Sequence, residues 1–108
     1  TEMTFLITQP PGPFPQKLRL VPPPPVHGGG FWSVTSYDSG GSIHKKPNIR
    51  LDSKTVRYHP LGSVELTFTD DVKDTDRNTI HVDASSTIVF RIYRPADSTW
   101  KIPPWARV

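Results

Sequence analysis

One hundred and eight residues with a formal net charge of +3 amount to one domain, too little chain for separate cofactor and substrate lobes. Thirteen prolines and seven glycines exclude a bundle of long helices, and the lack of cysteine excludes disulfides, zinc ribbons, iron–sulfur clusters and a thiol nucleophile. Hydrophobic residues make up only 34%, yet five Phe, three Tyr and three Trp are too many for a disordered chain, so a small all-β domain is expected.

Eight of the thirteen prolines fall within residues 1–30, including the run Pro22 to Pro25. Proline fixes φ and bars helix, so residues 1–30 are expected to form an extended arm carrying one or two edge strands, with the body over residues 31–108. Met3–Thr8 and Lys17–Val21 are the β-prone stretches of that arm, the second alternating Leu18 and Leu20 with Lys17 and Arg19. His27-Gly28-Gly29-Gly30 suits a tight or bulged turn into Phe31–Tyr37, a strong strand candidate. Lys54–His59 reads as a strand stopped by Pro60-Leu61-Gly62 and followed by Ser63–Thr69, which together predict a hairpin. Within the second arm Val64, Leu66 and Phe68 share one face, as Ile88, Phe90 and Ile92 do in the strand predicted over Thr87–Tyr93. Thr79–Val82 is a shorter candidate, and Trp100–Trp105 is expected to run extended with its two indole rings on the sheet. About seven short strands predict an antiparallel β-sandwich or jelly-roll-like fold.

Charge is segregated along the chain: residues 17–64 carry a net +5 and residues 65–83 a net −4. Opposed segments of this kind favour head-to-tail self-association as readily as binding of a polyanion. The basic residues are not interleaved with aromatics, so nucleic acid is the weaker reading. No apolar run reaches the roughly 20 residues of a spanning helix, and the start has no signal-peptide pattern. The chain therefore reads as soluble, with its compartment open, export included.

Three blocks carry a resemblance. Pro24-Pro25-Val26 leads through the glycines to Phe31-Trp32-Ser33-Val34-Thr35-Ser36-Tyr37-Asp38. Gly62-Ser63-Val64-Glu65-Leu66 follows, and the chain closes with Arg91-Ile92-Tyr93-Arg94-Pro95, Thr99-Trp100-Lys101-Ile102-Pro103-Pro104 and Arg107-Val108. In this order they resemble the DUF1214 family, the C-terminal β domain of DUF1254/DUF1214 proteins. The chain departs from that pattern at Asn78-Thr79-Ile80-His81, where a Trp and a Pro are lost, and between Asp38 and Arg50, which is shortened. The resemblance implies a jelly-roll-like sandwich accompanied in full-length members by a second β domain, so the chain reads as a fragment or a stand-alone version. It implies no catalytic residue, and fold alone does not settle function.

Candidate binding residues are His27, Trp32, Tyr37, His59, His81 and Trp100. His27 lies beside three glycines, where backbone can approach a ligand closely, and the aromatic faces suit a sugar or another planar group. None of the histidines stands at a metal-ligand spacing from another, which favours turn or surface roles. Asp70, Asp71, Asp74 and Asp76 are spaced to wrap a hard cation such as Ca²⁺, but the glycine and terminal glutamate of an EF-hand loop are missing and Lys73 and Arg77 partly neutralise the segment, so a solvated acidic turn is favoured. No further cofactor is expected. With no nucleophile triad, phosphate loop or dinucleotide fingerprint present, the sequence leans away from catalysis. It favours a non-catalytic β-sandwich module acting by self-association, as a homo-oligomer, or by binding a partner protein. The alternative is a small-molecule- or glycan-binding domain, part of an enzyme of the DUF1254/DUF1214 type.

Overall fold

A computed structural model describes residues 2–8, 13–37, 49–73, 77–83 and 85–107. Among these residues there is no helix, and eight strands form two four-stranded sheets. One sheet takes β1 (Glu2–Thr8), β7 (Thr87–Pro95), β3 (Val26–Tyr37) and β4 (Arg50–Asp52), in that order. The other takes β6 (Thr79–His81), β5 (Val64–Thr69), β2 (Gln16–Leu20) and β8 (Ala106–Arg107). Every pairing is antiparallel except β5 with β6, which runs parallel with Phe68 opposite Ile80. The fold is thus the expected all-β sandwich.

The alternation seen in the sequence sets the inner faces. Leu18 and Leu20 of β2, Val64, Leu66 and Phe68 of β5, Trp32 and Val34 of β3, and Ile88, Phe90 and Ile92 of β7 are all buried in one core. Register locks these faces together, since Leu18 lies opposite Leu66 and Val34 opposite Phe90, and a one-residue slip would turn each set to water. Trp32 and Phe90 stack with centroids 5.6 Å apart, and Trp100 tilts onto Phe90 at 5.5 Å, so aromatic rings fill the centre between the sheets.

The expected hairpin does not form. Lys54–His59 is no strand, and β5 pairs instead with β2, far away in the chain. The cause is Asp52, whose carboxylate accepts hydrogen bonds from the backbone N–H of Lys54 at 2.9 Å and of Thr55 at 3.1 Å and so folds Ser53–Thr55 into a turn. Burial raises the Asp52 carboxyl, but its Arg50 partner, the Lys54 N–H and the Thr55 side chain together outweigh that and hold it below the ordinary value. Val56 then drops into the core. Beyond it the Asn78 side chain accepts from Arg57 N–H and donates to Arg57 C=O, both at 2.8 Å, replacing a ladder partner with an amide side chain.

Nor does the fold divide at residue 30. β3 starts at Val26 and runs through that point, and β2 is an inner strand of its sheet. The glycine turn is a bulge within β3, where the step from Val26 to Phe31 faces the shorter step from Pro95 to Tyr93.

Candidate functional site

The six candidate binding residues are dispersed. Trp32 and Trp100 meet through Phe90, but inside the core, and the Trp100 indole N–H donates to Pro22 C=O at 3.1 Å. His27 is exposed in the β3 bulge. Tyr37, at the far end of β3, is half-buried on the outer face of its sheet and lines a shallow hollow of about 330 Å³ with Thr87, Val89 and Arg91. His81 is half-buried on β6 opposite Thr69. His59 lines a different hollow, which shares no residue with that of Tyr37. Of the four candidate cation ligands, Asp70 and Asp71 are exposed, whereas Asp74 and Asp76 lie outside the described residues. Among the described residues no three His, Asp or Glu side chains group as metal ligands.

The hollow at His59 holds about 440 Å³ between the Val21-Pro22-Pro23 segment and the turn His59–Ser63. Gly62, at φ +95°, closes that turn, with its N–H donating to His59 C=O at 2.7 Å and His59 N–H donating to Ser63 C=O at 2.8 Å. The imidazole Nδ1 accepts from Leu61 N–H at 3.1 Å, which commits that nitrogen to the turn. Across the hollow the proline run is tied down by the Trp100–Pro22 bond and by Ala96 N–H donating to Pro25 C=O at 2.9 Å, while Pro24 is buried. The run is therefore held as part of the fold. Val21, before the run, is 73% exposed and Leu61, at the tip of the facing turn, 89%, so the rim of this hollow is apolar. Sequence reasoning missed both residues. A leucine at a turn tip and a valine before four prolines were the only signals.

A larger, open depression of about 640 Å³ lies on the second sheet, walled by Phe14, Pro15, Asp70, Asp71 and Lys73 and floored by Lys17, Thr67 and Thr79, which share one row across β2, β5 and β6. Next to it, Lys17 Nζ and Arg19 Nε both bond Glu65, at 2.6 and 2.8 Å. The basic and acidic segments thus meet within one molecule. The Lys17 hydrogen bond chiefly, with Arg19 adding to it against a smaller effect of burial, lowers the Glu65 carboxyl from its ordinary 4.5. A carboxylate lowered on folding stabilises the protein above its unfolded value, and this contribution fades as pH falls below about 4.5 and through the lower folded value. Glu65 is 41% exposed, so solvent screening keeps the loss small: Glu65→Gln is expected to cost about 1 kcal/mol or less at pH 6 and to converge on the wild type at pH 3. Urea denaturation of both proteins at the two pH values checks this, and a gap that stays constant would refute it.

Comparison with known proteins places the fold. A family model described as "Protein of unknown function (DUF1214)" matches residues 15–97, from β2 to the end of β7. The chain belongs to the DUF1214 family. Among solved structures it is similar to the VPA0106 protein from Vibrio parahaemolyticus, with a TM-score of 0.76 and 16% identity, over 99% of this chain and 30% of that one. At that identity the likeness is one of fold, and the chain spans less than a third of that protein's length. No curated protein matches. The DUF1214 blocks noted above fall on β3, on the turn into β5 and its first residues, on β7 and on the tail that carries Trp100, so they mark framework positions. Among the described residues no helix is long and apolar enough to cross a membrane.

Proposed function

We propose that this DUF1214 domain is a non-catalytic association module that works by binding other protein surface, first of all a second copy of itself. The observation that carries this reading is where apolar side chains remain in water. Leu6, Val21 and Leu61 are the most exposed large apolar residues described, and they stand on a sheet edge and along the rim of an open hollow, while the interior is filled by Trp32, Phe68, Phe90 and Trp100. Internal pairing of Lys17 and Arg19 with Glu65 shifts the basis of association from opposed charge to apolar and backbone groups, which salt leaves intact.

Size-exclusion chromatography with light scattering, from tens to hundreds of micromolar protein, tests it. A mass above the 12.1 kDa monomer that persists in high salt is expected. A strict monomer throughout would overturn the reading. A second reading, a small polar ligand or glycan in the 640 Å³ depression, is favoured only by the convergence of Lys17, Thr67, Thr79 and Asp70 beside the Phe14 ring.

A further inference from the structure

The two sheets have four edges, and they are not alike. β4 and β6 are three residues long and β8 two, and β4 carries Arg50 and Asp52; β1 runs for seven residues in unbroken register with β7. Natural edges are blunted by brevity, Pro, Lys or a bulge, since an open edge presents unpaired N–H and C=O groups to any other strand. β1, with the sequence Glu-Met-Thr-Phe-Leu-Ile-Thr, has none of these devices, and its one charge is Glu2 at the start. Among the described residues nothing pairs with its outer side. One position past its middle stands Leu6, 67% exposed, on the outer face beside Val89 of β7.

We propose that two copies of this chain associate by antiparallel pairing of their β1 edges, joining two four-stranded sheets into one of eight strands. The proposal rests on the association reading above and names its surface. Self-pairing across a two-fold axis needs a strand that is complementary to its own reverse. The central part of β1 meets that condition when the axis passes Leu6: Leu6 faces Leu6 of the second copy and Phe5 faces Ile7, so apolar positions meet apolar ones over a joint that spans positions 4 to 8 of each strand. The same arrangement carries the two Glu2 carboxylates to opposite ends of the joint, where they do not repel. Each Glu2 stays 3.7 Å from Arg91 of its own sheet.

The chain has no cysteine, which makes single-cysteine variants clean reporters of register. Leu6 and Thr4 are both exposed on the same face, so both can be replaced without opening the core. Leu6→Cys is expected to give a disulfide-linked dimer on mild oxidation, because the paired Cβ atoms lie about 5 Å apart. Thr4→Cys is expected not to, because two copies of position 4 would be separated by about 14 Å along the joint. Leu6→Lys, checked as folded by circular dichroism, is expected to weaken association at least tenfold in sedimentation velocity. Association of Leu6→Lys at the wild-type strength, or equal crosslinking of the two cysteine variants, would overturn the edge joint and leave the association reading standing. A wild-type protein that is monomeric throughout would overturn both.

Discussion

Trp32→Ala is expected to destabilise the domain by about 3–5 kcal/mol, the range for deleting a large aromatic from a packed core. The residue is 2% exposed and is the largest fully buried side chain described. Its ring stacks on Phe90 at an interplanar angle of 18°, and Phe90 in turn supports Trp100, so the cavity left by alanine has rigid aromatic walls that collapse poorly. The backbone at this position stays held, with Trp32 C=O accepting from Ser53 N–H at 2.9 Å, which further limits relaxation. At roughly 4 °C per kcal/mol for a domain near this size, Tm falls by at least about 12 °C. Trp32→Phe keeps the stack and recovers about half of the loss. Tyr37→Ala, at the outward-facing far end of the same strand, costs about 1 kcal/mol or less. Thermal unfolding followed by circular dichroism separates the three. A Trp32→Ala protein within 1 kcal/mol of the wild type would return Trp32 to the list of surface binding residues.

The candidate binding set was read from residue type, and residue type does not say which face of a strand a ring occupies until the partner strand is known. Trp32 sits in phase with Val34 and Ser36, which are buried, whereas Tyr37 is out of phase with them; that phase was present in the sequence and pointed to the core. Where alternation was strong, as in Val64-Leu66-Phe68 and Ile88-Phe90-Ile92, inner faces followed directly. Pairing did not. A turn signal at Pro60–Gly62 suggested that its flanks pair with each other, and the turn does form, but the Asp52 side chain had already spent the preceding segment on a turn of its own. β5 was then left to pair with β2 across more than forty residues, a choice made by burial of Leu18 and Leu20 rather than by any local signal. Strands of two or three residues, such as β4 and β8, are too short to show a period at all. The open edge of β1 is likewise a property of sheet order, which no pattern within Glu2–Thr8 reveals.

Gly30→Ala is expected to cost about 2–3 kcal/mol, at the upper end of what overpacking usually costs, whereas Gly28→Ala two residues away is neutral or stabilises by up to about 1 kcal/mol. The contrast follows from the bulge that brings β3 back into register with β7 between Val26 and Phe31. A Cβ on Gly30 would stand 2.5 Å from Tyr93 C=O and 2.9 Å from His27 C=O, and 3.0 Å from the Cβ of Arg94. Two of these neighbours are backbone oxygens fixed by the sheet, and Arg94 is itself held at φ +55°, so the clash is relieved only by moving strands. A Cβ on Gly28 meets nothing within 4 Å, and there alanine only reduces the freedom of the unfolded chain. Displacing β3 at this point would strain the Phe31–Tyr93 stack, whose centroids lie 4.4 Å apart, and the pairing of Trp32 with Ile92 just beyond it. Urea denaturation of the two variants, with unchanged m-values, measures the difference; equal stabilities would mean that the bulge shifts to admit a side chain and that Gly30 is not required by close approach.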